Sequence, residues 1–169
     1  MSSRLRELFP KQIPYTINAV VDALRSMPAT AATAELAALS RDEDPVIRAQ
    51  TLRAAGEYLP DQGVEMALVL LDDPVWFVRC FACELLDQRR YYLAAPRVAQ
   101  LLVGDPDETV RALAAVALRH LGDPSYVPLM ERAAETEKGV DHEGQSIRSI
   151  IKRSIAVIRS RAAGEEPSW

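Results

Sequence analysis

Glycine is scarce in this chain, with seven in 169 residues, and there are only two cysteines and two histidines. So little glycine leaves few places for the tight backbone turns of a phosphate-cradling loop or a nucleophile elbow, and neither G-x-x-x-x-G-K-[ST] nor G-x-S-x-G occurs. Two cysteines cannot staple a chain of this size, which points to a reducing, cytoplasmic setting. Cys80-Phe-Ala-Cys83 has the C-x-x-C spelling, but it falls inside a predicted helix and lacks a second pair to complete a zinc site. Cys83 is expected in the core and Cys80 partly exposed. No apolar run approaches the ~20 residues that span a bilayer. The first ten residues, through Phe9-Pro10, have no long apolar stretch, so neither a signal peptide nor an anchor is predicted. Net charge is −4, which gives no general field to attract nucleic acid or an anionic membrane. Aromatics are 6% of the residues although apolar types make up 49%. The core is therefore mostly Ala, Leu, Val and Ile, which suits closely packed helices, and few windows alternate as strands do.

A short acidic-proline-arginine phrase recurs. It reads Asp42-Glu-Asp-Pro-Val-Ile-Arg48, Asp73-Pro-Val-Trp-Phe-Val-Arg79 and Asp105-Pro-Asp-Glu-Thr-Val-Arg111, with arginines 31 and 32 residues apart. A weaker copy ends at Ile147-Arg148, 37 residues further on. A fixed period of this length marks a repeat protein whose units bury their apolar faces against one another. Just before each arginine, and three and seven residues after it, stand Ile47, Thr51 and Ala55; Val78, Ala82 and Leu86; Val110, Ala114 and Leu118; Ile147, Ile151 and Ile155. Spaced about four apart, they form one stripe of an amphipathic helix. Asp44-Pro45, Asp73-Pro74 and Asp105-Pro106 each offer a capping carboxylate with proline at the first helical position. Shorter helices over 30–39, 62–71, 95–103 and 125–134 precede these, with Asp61 and Asp123 as further caps. A helix over 15–26, entered through Pro10 and Pro14, is expected to cover the first repeat. A last helix over 144–162 begins near His142-Glu143, where Glu suits the positive end of the helix dipole. The organisation read from this is a cap over 1–28, repeats over 29–162 and a frayed tail over 163–169.

The stretch from Asp105 to Leu129 resembles the HEAT repeat and, more narrowly, the subtype named after phycobilisome lyases. The second copy matches well, the first has its Asp-Pro shifted by two residues and the fourth lacks it; the resemblance covers about residues 29–161. It implies an all-α, right-handed superhelix of about four helical hairpins. It also implies a ladder between neighbouring units built from Asp42, Asp73, Asp105, Arg48, Arg79 and Arg111. Arg148 departs, because His142 stands six residues before it. Such repeats mostly serve as binding scaffolds. Iron hydroxylases built from HEAT-like repeats use several His-Glu pairs, and this chain has only His142-Glu143. Some DNA glycosylases are similar and need a basic concave face. The positions that the family pattern turns that way include Arg53, Glu57, Cys80, Glu84, Gln88, His120 and Arg153, a mixed surface.

Comparing copies shows where the repeat departs from its own rule. Trp76 stands where the neighbours have Pro45 and Glu108, and Phe77 parallels Val46 and Thr109. Tyr91-Tyr92 replaces Asp123-Pro124, with Arg89 and Arg90 beside it. Aromatics in polar surroundings are common anchors of protein interfaces; alternatively Trp76 folds over the seam between repeats and Tyr91 caps the turn. A polar insertion of five residues within 135–142 either adds contacts or is an idle loop. The sequence thus predicts a non-catalytic protein-binding scaffold, a small bacterial-style adaptor or neutralising partner. Its contacts are expected at Trp76 and Phe77, or at Glu84, Gln88, Arg89, Tyr91 and Tyr92. No cofactor, metal, nucleic acid or membrane partner is expected. The alternative reading is an accessory subunit of a phycobilin lyase.

Overall fold

Helix-favouring segments broken by proline and aspartate give the chain its plan. This computed structural model describes residues 16–164, and within them the chain forms nine α-helices. The first of two compact units runs to Leu85. It holds α1 (Thr16–Arg25), α2 (Ala29–Leu39), α3 (Pro45–Tyr58), α4 (Pro60–Leu70) and most of α5 (Trp76–Gln88). The second begins at Leu86 and holds α6 (Ala95–Gly104), α7 (Glu108–Leu121), α8 (Val127–Thr136) and α9 (Ile147–Ala163). Pro10, Pro14 and residues 165–169 lie outside the described residues.

In the first unit α1 lies against α2 and α3, and α3 packs on α4. Its core joins Val20, Leu24, Leu36, Leu39, Ile47 and Ala55. A helix over the first repeat is therefore present, as the sequence predicts, and it buries Val20 and Leu24 completely. The α3–α4 contact is close because two glycines meet. A Cβ placed on Gly63 would lie 2.7 Å from the Gly56 Cα. In the second unit α6 packs on α7, and α7 and α8 both pack on α9. Its largest fully buried side chains include Leu102, Leu118, Met130, Ile147, Ile151 and Ile158. Every position of the stripe read from the arginine spacing is buried in all four copies. Fully burying a Leu, Ile or Val side chain contributes about 1.5–3 kcal/mol, so this stripe is the main attachment of each long helix.

The turns differ from expectation. Only Asp44 caps in the predicted way, accepting from the Val46 N–H at 2.8 Å with Pro45 at the first position. Asp73 and Asp105 do not cap α5 and α7. Their carboxylates accept from the N–H two residues on, Val75 and Asp107, each at 2.9 Å. Asp42 does the same to Asp44 at 2.9 Å. This local turn adds extended residues before each helix, so Pro74 and Pro106 sit in the turns, and Asp107 caps α7. Asp61 lies in the first turn of α4, because Pro60 already takes the first helical position. Short 3-10 turns, Tyr92–Ala94 and Pro124–Tyr126, lead into α6 and α8. Asp123 does cap the second of them, accepting from Ser125 N–H at 2.7 Å.

His142-Glu143 does not begin the last helix. Asp141 folds residues 141–145 into a turn by accepting from the N–H groups of Glu143 and Gln145 at 3.0 and 2.8 Å. Val140 and Ser146 form an isolated antiparallel bridge at its base, and α9 starts only at Ile147. Gly164, with φ of 74°, ends α9 in the left-handed conformation. Cys80 is buried along with Cys83, contrary to its expected partial exposure.

Candidate functional site

The repeated arginines point inward. Arg48 is buried and grips Asp73 with both arms, Nε to Oδ2 and Nη2 to Oδ1, each at 2.7 Å. Its Nη1 donates to the carbonyls of Asp42 and Glu43 at 2.9 and 3.1 Å. A planar fork matched to a carboxylate is the strongest geometry such a pair can take. Asp73 returns the pattern one copy later, its carbonyl accepting from Arg79 Nη1 at 2.8 Å. Each such aspartate thus offers its carbonyl to the arginine of its own repeat, and Asp73 also offers its carboxylate to the arginine before. Arg79 and Asp105 are buried as well.

The second unit contains a member of this row that the spacing did not reveal. Arg111 donates Nη1 to the Asp105 carbonyl at 2.9 Å, and its Nε meets Glu137 Oε2 at 2.7 Å. The Glu137 carbonyl in turn accepts from Arg148 Nε at 3.2 Å. Glu137 is therefore the fourth copy's carboxylate, standing eleven residues before its arginine instead of six. The five added residues are looped out between them as the Asp141 turn. The only signal in the sequence was the length of the insertion itself. The bond to Arg111 holds the Glu137 carboxyl below the ordinary carboxylate range, helped by the Gly139 and Lys138 N–H groups. The same bond raises Arg111, and the bond to Asp73 raises Arg48.

The aromatic positions fall in both units. In the first, Trp76 opens α5 at 43% exposure, while Phe77 is half-buried beneath it. Their rings meet edge to face, centroids 5.8 Å apart. Glu84 is exposed on the same helix. In the second unit Gln88 and Arg89 are exposed, Tyr91 is half-buried and Tyr92 is 61% exposed. Tyr91 contributes no side-chain cap to the 3-10 turn it precedes. Leu93, at 78%, is the most exposed large apolar residue described. It was missed, though comparison of copies places it opposite Ser125, a polar position. Arg90 ends α5 with a φ of 52°, the only non-glycine with positive φ among the described residues. The Tyr91 N–H reaches back to the Leu86 carbonyl at 3.0 Å and closes the helix end. Asp87 gathers Arg90 at 3.6 Å and His120 Nδ1 at 2.8 Å.

No group of His, Cys, Asp or Glu that could hold a metal ion occurs among the described residues. No described helix is long and apolar enough to cross a membrane. Arg161 ties α9 to the end of α7 by donating to the carbonyls of Arg119 and His120, both at 3.1 Å, and to that of Gly122.

Helical hairpins carrying a repeated arginine, linked to a carboxylate borrowed from the next copy, define a helical-repeat protein of the kind built to present surface to a partner. The family described as HEAT repeats matches residues 64–150, just over half of the chain, and the chain belongs to it. No curated protein and no solved structure matches the chain significantly.

Proposed function

We propose that this protein is a non-catalytic scaffold that binds another protein, as a small adaptor or as a neutralising partner. The observation that carries this reading is the exposure of Trp76, Tyr92 and Leu93 at positions where the other copies hold proline or polar residues. Contacts use Trp76 and Phe77, or Glu84, Gln88, Arg89, Tyr91 and Tyr92. Large aromatics with arginine nearby form the energetic centres of protein interfaces. The ladder residues Asp42, Arg48, Asp73, Arg79, Asp105 and Arg111 serve the stack. Burial of Arg48 and Arg79, and the carboxylate on Arg48, support a structural role over a phosphate-binding row.

Affinity capture from cells that make the protein, followed by mass spectrometry, tests the reading. Partners retained by wild type should be lost from Trp76→Ala or from the Tyr91→Ala, Tyr92→Ala pair, since a central anchor is worth ~2 kcal/mol or more. Unchanged capture with a lowered melting temperature would assign these aromatics to the seam between repeats. The likeness of residues 105–129 to lyase-type repeats motivates a second reading, an accessory lyase subunit. A visible absorption change on mixing with a linear tetrapyrrole would favour it.

A further inference from the structure

We propose that a pocket in the second unit receives a side-chain carboxylate from a protein partner; this deepens the scaffold reading and rests on it. The pocket lies between α7 and α9 and has a volume of about 210 Å³. The loop created by the five-residue insertion closes one side through Asp141, His142 and Gln145. Insertions in repeat proteins concentrate on one face, often the one that binds.

Two arginines line this pocket, Arg119 from the last turn of α7 and Arg153 from α9. The Arg119 Nε–H is buried and has no acceptor. Arg153 donates only to the neutral Gln145 Oε1, at 3.1 Å. Among the described residues neither guanidinium meets a carboxylate, whereas Arg111 and Arg159 of the same unit each have one, at 2.7 and 2.6 Å. The pocket's own carboxylate, Asp141, accepts from two backbone N–H groups of its turn through Oδ1. Two guanidinium groups lining one pocket without a carboxylate are matched most strongly by an anionic acceptor. Leu113, Val116 and Ile150 supply an apolar wall that suits the methylenes of a glutamate. A nucleic-acid backbone would need a row of such cations. Here there are two, flanked by Asp141 and by exposed Glu143, so one acidic side chain fits better than a phosphate chain.

The side-chain Nε–H resonances of Arg119 and Arg153 in the nitrogen-15-labelled full chain read this directly. The probes are acetyl-Ala-Leu-Glu-Leu-Ala-amide, its glutamine twin, glutarate, inorganic phosphate and a short DNA duplex. Saturable movement of both resonances by the glutamate peptide is expected, with at least tenfold weaker binding of the glutamine twin. Arg119→Gln and Arg153→Gln should each weaken the peptide at least tenfold while the backbone spectrum stays folded. Glutarate or phosphate binding as tightly as the peptide would make this a free-anion site and overturn the assignment. Tighter binding of the duplex would overturn it too, as would resonances that do not move at 10 mM peptide. If they stay still while capture of partners still depends on Trp76, the pocket falls and the scaffold reading stands.

Discussion

Glu137 ties two repeats together through one residue, its carboxylate on Arg111 and its carbonyl on Arg148. Its side chain is largely buried, so the charge cannot be rehydrated without opening the turn. Glu137→Gln keeps the shape and one acceptor but removes the charge. Loss of about 2 kcal/mol at pH 7 is expected from chemical denaturation, the size of a hydrogen bond to a charged group. Because the folded carboxyl is held below its ordinary range, this contribution is present above about pH 5. It declines as pH falls past about 4.3, where the unfolded chain takes up the proton first, and is gone below the depressed folded value. The variant should therefore show a flatter acid limb than wild type. At this scale the sequence was only half legible. The arginines and the first three aspartates were found by their spacing. Glu137 was hidden by a longer side chain and an insertion, and the caps expected at Asp73 and Asp105 were misplaced because an aspartate bonding two residues onward looks, in sequence, like one that begins a helix.

Helix ends and helix contacts explain two further outcomes. A left-handed residue with a side chain costs about 1–2 kcal/mol, and Arg90 accepts that cost at the end of α5. Its ion pair with Asp87, at 3.6 Å and half exposed, returns only about 0.3 kcal/mol. Arg90→Gly should therefore raise the melting temperature by a few degrees. The α3–α4 contact predicts the opposite sign. Gly63→Ala improves helix propensity by about 1 kcal/mol, but its Cβ would meet the Gly56 backbone at 2.7 Å. Backbone cannot turn aside as a side chain can, so overpacking of about 1–3 kcal/mol should dominate and thermal melting should show a net loss. Helix positions were readable here because arginine spacing fixes the buried stripe. The start of α9 was not, since nothing in Asp141-His-Glu143 distinguishes a turn closed by Asp141 from a capped helix.

For the whole molecule, what was legible was whatever repeats. Four copies of one amphipathic stripe specify helical hairpins, and the family match over 64–150 agrees with that reading. What does not repeat, namely the left-handed turn at Arg90 and the pocket between α7 and α9, could be seen only once side chains had neighbours. The surface is mixed in charge, and the total of −4 gives a partner no long-range attraction, so recognition is expected to rest on local fit.

Within each unit a carboxylate is handed to the arginine of the repeat before it, by Asp73 in one and Glu137 in the other, so the repeats behave as interchangeable links. A link cut at its period carries one complete hook and one complete eye. Inserting a second copy of residues 105–136 after Thr136 would give the original Arg111 the new copy's Asp105, and would leave the new Arg111 facing Glu137 at the native separation. Such a lengthened protein should melt in one cooperative step with proportionally more helix by circular dichroism. Duplicating residues 105–121 alone supplies an arginine with no carboxylate in register and should yield a broad, lowered transition. Grafts and deletions in this molecule are therefore expected to succeed in whole periods and to fail in fractions of one.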